Sequence, residues 1–368
     1  MINAPGHIKA IAAYQPGKPT SELAREFNLD EASIIKLASN ENPLGASPAA
    51  IAAIQKVLGG VALYPDGSGY EFKSALMKKY GVARQQIVLG NGSNDVLELA
   101  GRAFLTPQDS AVFSQHAFAV YPLTVQAIGA KAIEVPAVNF AHDLPEMARA
   151  VREDTRIVFV ANPNNPTGTL VSVDELLTFI KSISSNIVVV VDEAYTEYLP
   201  SAHKFDTTTW LEQFPNLVIT RTLSKAYGLA GLRVGYAFAH ADVADLMNRV
   251  RQPFNVNSLA LAAATAALDD DAFLAKSAEL NRQGLLQLAA GFERLGLKYI
   301  PSYGNFICVD VGDGAAMYQF LLRQGVIVRP VAGYGMPRHL RISVGLAEQN
   351  ARCLDALAAG LKQLPAMR

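Results

Sequence analysis

The chain has 368 residues, 50% hydrophobic and 18% charged, with a formal net charge of -1. This length suits two domains. The even charge balance supplies no basic field for nucleic acid or an anionic membrane, so small soluble substrates are the expected partners. The apolar stretch 259–268 is alanine-rich and far short of the roughly 18 residues needed to cross a bilayer. Two widely spaced cysteines, Cys308 and Cys353, and an N-terminus without a secretory pattern predict a reducing, cytoplasmic setting.

Residues 1–40 carry turn chemistry at Pro16-Gly17 but no strong strand series, and read equally as an arm or as part of a second domain. From there apolar runs at 86–89, 110–113, 131–135, 157–160, 187–191, 217–219 and 234–238 alternate with helical patterns such as 94–104, 119–128 and 173–182. This alternation predicts an α/β protein with a mostly parallel sheet covered by helices on both faces. Past residue 253 the pattern changes to long helices at 258–268 and 272–295 and a short strand near 306–309. These predict a cofactor-type large domain over 41–253 and a smaller α+β domain over 254–368.

Four strand ends carry the chemistry. In Gly90-Asn91-Gly92-Ser93-Asn94 a glycine turn opens a helix, whose free N–H groups bind phosphate; Ser93 or Asn94 is also an ordinary helix cap. Asn165, in the proline-braced turn 162–168, can hydrogen-bond a ring oxygen, although the segment reads as a plain turn too. Asp192 ends a run of valines, where a carboxylate can pair with a protonated ring nitrogen, with Tyr195 as a phenol donor nearby; it reads also as an acid capping a strand at a turn, and, against the missing Gly-x-x-x-x-Gly-Lys-Ser/Thr loop, as the metal-binding acid of a nucleotide triphosphatase. The run from Thr222 through Ser224 and Lys225 to Arg233 joins hydroxyls, one lysine and a guanidinium. This suits a Schiff base beside a bound phosphate, the alternative being a surface lysine in a glycine-containing turn. Phe118 can stack on a ring or fill the core. Arg329 and Arg341, each in an apolar run, need an anion, either an internal carboxylate or a substrate.

Together with Ser39-Asn40-Glu41-Asn42-Pro43, Tyr64-Pro65-Asp66 and 340–345, these segments make the whole chain resemble the fold-type I pyridoxal-phosphate aminotransferases. The resemblance implies pyridoxal 5'-phosphate as cofactor, with Lys225 as the catalytic amine and Asp192 on the ring nitrogen. It places Asn165 and Tyr195 on the ring oxygen, Phe118 on the ring face, and Ser93, Asn94, Thr222, Ser224 and Arg233 around the phosphate. Tyr64 would reach the neighbouring subunit's cofactor in a homodimer, and Tyr14, Asn42, Arg329 and Arg341 would hold substrate. The implied reaction moves an amino group from histidinol phosphate to 2-oxoglutarate, giving glutamate. Transamination of aromatic amino acids and decarboxylation of threonine phosphate remain open. One departure from the family's Pro-Thr-Tyr stretch, His116-Ala117-Phe118, keeps the ring and loses its hydroxyl.

Overall fold

The structure, a computed structural model, describes residues 3–13 and 17–364. The N-terminal strand β1 (Ile35–Lys36) belongs to the smaller body and is taken up below. The large sheet holds β2 (Ile87–Gly90), β3 (Ser110–Ser114), β4 (Lys131–Val135), β5 (Thr155–Ala161), β6 (Val188–Asp192), β7 (Leu217–Thr222) and β8 (Gly235–Ala239). Their spatial order is β2-β8-β7-β6-β5-β3-β4, and only β8 runs against the others. The central strands β5 to β8 are buried along almost their whole length, as their unbroken valine, isoleucine and phenylalanine runs require. Alternate residues feed two cores: Val189, Val191 and Ile219 face one helical layer, and Val188, Val190 and Val218 the other.

The smaller body contains β9 (Tyr299–Ile300), β10 (Phe306–Asp310), β11 (Val326–Ile327), β12 (Arg329–Pro330) and β13 (His339–Ser343). Strands β12-β13-β10-β9 form an antiparallel sheet, and β11 pairs in parallel with β1. That pairing, with Leu23, Ile34 and Ala38 packed on Leu322 and Ile327, attaches the N-terminal segment to the small body. The helix Ser258–Leu268, just past residue 254, packs on the large sheet. Its Ala260, Ala263, Ala264 and Ala267 are buried in the large sheet's core against the helices Pro48–Val57 and Tyr70–Tyr80. A face of alanines lets helices approach closely, and composition alone does not reveal which neighbour they approach.

Candidate active site

Strand register brings the chemistry to one rim. Ala161 pairs with Asp192, Asp192 with Thr220, Thr222 with Gly235 and Gly235 with Gly90. Because β8 is antiparallel, its start lies beside the carboxyl ends of β2 and β7, and Arg233 just before it joins the same rim. Ligands of open α/β sheets bind at such an edge.

A cavity of about 240 Å³ opens there. At one end Ser93 and Asn94 begin the helix Ser93–Phe104, opposite Thr222, Ser224 and Arg233. Arg233 Nη1 donates to Ser224 Oγ at 3.2 Å and to Ala230 O at 3.1 Å. Gly92 has φ +83°, and a Cβ on it would stand 2.4 Å from Arg233 Nη2; one on Gly235 would stand 2.4 Å from the Ser93 nitrogen. Glycine thus lets a guanidinium and a helix N-terminus converge with two hydroxyls, a donor set suited to a phosphate dianion.

Lys225 Nζ lies in the same cavity and donates to Ser39 O at 3.3 Å. Burial, with the Arg341 guanidinium adding to it, brings its ammonium down to about 8. Asp192 accepts from Tyr121 Oη at 2.9 Å and from Thr220 Oγ1 at 3.0 Å. Burial pushes its carboxyl up while those hydrogen bonds pull it down, so a cationic partner at the carboxylate would favour ionisation. The Tyr195 phenol is pushed up to about 12 by burial, stays protonated, and accepts from Asn40 Nδ2 at 2.9 Å. Phe118 lines the cavity and meets Tyr121 edge-on at 6.0 Å.

The small body closes the other side. Arg341 Nη1 donates to Asn165 Oδ1 at 2.5 Å and Nη2 to Ala38 O at 2.9 Å. Its Nε is buried with no partner among the described residues. Arg329 stands opposite Arg341 in the register of β12 and β13. Both arginines line the cavity, where two guanidiniums suit an anionic group.

Twelve of the expected residues meet in this cavity: Lys225, Ser93, Asn94, Phe118, Asn165, Asp192, Tyr195, Thr222, Ser224, Arg233, Arg329 and Arg341. Asn42 stands apart from these twelve. It does not line the cavity, and its amide is used internally, with Nδ2 donating to Ala226 O and Ser277 Oγ, both at 2.9 Å, and Oδ1 accepting from Leu44 N at 3.0 Å. These bonds brace the loop behind Lys225. Tyr64 is 83% exposed and away from this cavity. Tyr14 lies outside the described residues. Sequence reasoning missed Tyr121, one helical turn beyond Phe118, and assigned no role to the Asn40 amide. Neither partnership shows until the helix Val120–Ile128 and the 39–42 segment are placed in space.

The residues fit pyridoxal phosphate: the glycine-cleared cup matches its phosphate, Asp192 its ring nitrogen, and Lys225 its aldehyde. The family described as aminotransferase class I and II matches residues 32–357. The chain belongs to this family. Among curated relatives, histidinol-phosphate aminotransferase 2 of Nitrosospira multiformis is 60% identical, with 98% of this chain and 92% of that protein covered. Histidinol-phosphate aminotransferase 1 of Thiobacillus denitrificans is 59% identical, covering 98% of this chain and 94% of that protein. The crystal structure of histidinol-phosphate aminotransferase from Sinorhizobium meliloti with pyridoxal-5'-phosphate superposes with a TM-score of 0.91 at 26% identity, covering 99% of both chains. The fold is accordingly that of the fold-type I aminotransferases, and an aspartate aminotransferase variant from Thermus thermophilus shares it at a TM-score of 0.85.

Proposed function

We propose that this class I and II aminotransferase uses pyridoxal phosphate to transfer the amino group of L-histidinol phosphate to 2-oxoglutarate, as in histidine biosynthesis. The observation that carries the substrate assignment is the in-register pair Arg329 and Arg341 at the cavity, with a buried Arg341 N–H free to meet an acceptor. It suits both the phosphate of the donor and a carboxylate of the acceptor. Identity near 60% with proteins of that name supports the same choice.

When bound, the cofactor supplies an aldehyde that condenses with amines and a ring that accepts electrons. Lys225 Nζ, with its ammonium at about 8, is neutral often enough near neutral pH to take and return the proton of the substrate α-carbon. Asp192, held by Tyr121 and Thr220, keeps a carboxylate where the ring nitrogen would be. Tyr195 and Asn165 would orient the ring oxygen, while Ser93, Asn94, Thr222, Ser224 and Arg233 would anchor the phosphate. Steady-state turnover of histidinol phosphate, phenylalanine and threonine phosphate, with 2-oxoglutarate where needed, tests the assignment. Faster turnover of phenylalanine or threonine phosphate would overturn it.

The same proposal includes a homodimer in the cytoplasm. Leu58, Val61, Leu63, Tyr64, Tyr70 and Phe254 are large apolar or aromatic side chains left exposed on one chain, a pattern that suits burial by a second copy. In that assembly Tyr64 reaches the other subunit's phosphate. Cys308 and Cys353 are both free and buried, as a reducing compartment allows. Among the described residues no helix is long and apolar enough to cross a membrane.

A further inference from the structure

The phosphate cup and the exposed Tyr64 loop are joined within one chain. Segment 250–257 connects the helices Ala241–Arg249 and Ser258–Leu268 and has no regular structure of its own, so side-chain contacts set its shape. Phe254 adopts φ +57°, a left-handed conformation disfavoured for a residue with a Cβ. The residue is 45% exposed, and its ring stacks on Tyr64 at 4.8 Å and 24°. Gly67 makes room for it, since a Cβ there would lie 3.3 Å from the Phe254 ring. Arg251 Nη2 donates to Gly67 O at 3.0 Å and Nη1 to Asn255 Oδ1 at 2.8 Å. Asn255 Nδ2 in turn donates to Leu89 O at 3.0 Å and to Asp95 Oδ2 at 2.8 Å. The same Asp95 oxygen accepts from Asn91 N at 2.8 Å and so holds the turn that leads into Ser93 and Asn94.

We propose that segment 251–255 is a strut that places two phosphate-binding parts together: its own cup through Asn255, and the outward-pointing Tyr64 through Phe254. Phe254 and Asn255 are thereby positioning residues, Asn255 for the cofactor phosphate of its own subunit and Phe254 for that of the neighbour. This rests on the cofactor and homodimer readings above. It explains why Phe254 holds a disfavoured backbone: the conformation presents its ring to Tyr64 while the next residue reaches the cup.

The test follows release of pyridoxal phosphate from the holoenzyme and the phosphorus resonance of the bound phosphate. Asn255→Ala is expected to speed release about tenfold, the scale of a lost hydrogen bond to a carboxylate. Phe254→Ala should speed it about threefold to tenfold, the scale of a lost aromatic pair, and Phe254→Tyr should restore it. Both Ala variants should shift the resonance, which a merely less stable fold would leave in place. In hybrid dimers that join a Lys225→Ala, Phe254→Ala subunit to an unaltered one, cofactor covalently held by the unaltered subunit should leave faster. Unchanged release and resonance in Phe254→Ala and Asn255→Ala, with normal uptake by the parent, overturn the strut alone. Unaltered release in the hybrid overturns the action of Phe254 across subunits. If the parent takes up no pyridoxal phosphate, the aminotransferase reading falls and the strut falls with it.

Discussion

Lys225, the proposed catalytic amine, has surroundings that oppose its charge. Burial and Arg341 disfavour the ammonium, so its neutral fraction rises through pH 8 instead of through the usual 10.5. Reductive methylation of the cofactor-free protein, followed by peptide mass spectrometry, should label Lys225 with half-maximal rate near pH 8; a midpoint above pH 10 would contradict the desolvated amine. Asp192 relies on Tyr121, and Tyr121→Phe removes a 2.9 Å donor to a buried carboxylate. The loss is on the scale of about 1.5–3 kcal/mol, so turnover should fall by roughly tenfold to a hundredfold. Asp192→Asn removes the charge itself and should cost about 10²–10³ in kcat. Steady-state assays with histidinol phosphate check both, and a milder effect for Asp192→Asn than for Tyr121→Phe would reverse the proposed order.

The strand β7 and the segment after β6 are tied by a buried ion pair. Arg221 Nη2 meets Glu193 Oε2 at 2.8 Å, with both side chains about 5% exposed or less; Thr207 Oγ1 donates to the other carboxylate oxygen at 2.6 Å, and Tyr80 lies under the guanidinium at 4.7 Å. Removing one partner strands the other, so Glu193→Ala should destabilise the fold by about 3–5 kcal/mol in denaturant unfolding. Glu197 sits in the same cluster, with Glu193, Arg221 and Lys204 among the charges that act on it, and its Oε2 is buried without a partner among the described residues. Burial pushes its carboxyl up to about 7 from 4.5, so between those values the folded state keeps a proton that the unfolded chain has released. That contribution falls as pH rises through the window. Glu197→Gln, neutral throughout, should therefore gain about 1–3 kcal/mol on the parent between pH 4 and pH 8. Guanidinium unfolding at both values measures this, and an equal difference at each would refute it.

Assembly concerns the whole molecule. Leu63 and Tyr64 are 74% and 83% exposed on the isolated chain. Placing a charge at an apolar contact leaves it unpaired and desolvated, so Leu63→Glu should weaken the homodimer by about tenfold or more. Sedimentation across a dilution series reads the shift, and an unchanged association constant would move the interface elsewhere. Cofactor retention should fall in parallel if, as proposed, Tyr64 completes the neighbour's site in the dimer.

The strands, the helices between them and most of the residues that line the cavity were legible in the chain because they are local in origin. Valine runs make buried strands, glycines open the turn before Ser93, and the residue types at the ends of β2, β5, β6 and β7 already suit a phosphate, a ring and an aldehyde. Three-dimensional packing settled what depends on distant partners. It packed the alanine helix Ser258–Leu268 into the large core, bonded the Asn42 amide to the loop after Lys225, and brought Tyr121 to Asp192. It also set Arg329 opposite Arg341 and linked Tyr64 to the phosphate cup through Phe254, Arg251 and Asn255. The physical reason is that periodicity and turn chemistry act over a few residues, whereas register, helix packing and side-chain hydrogen bonds join residues that the chain order keeps far apart.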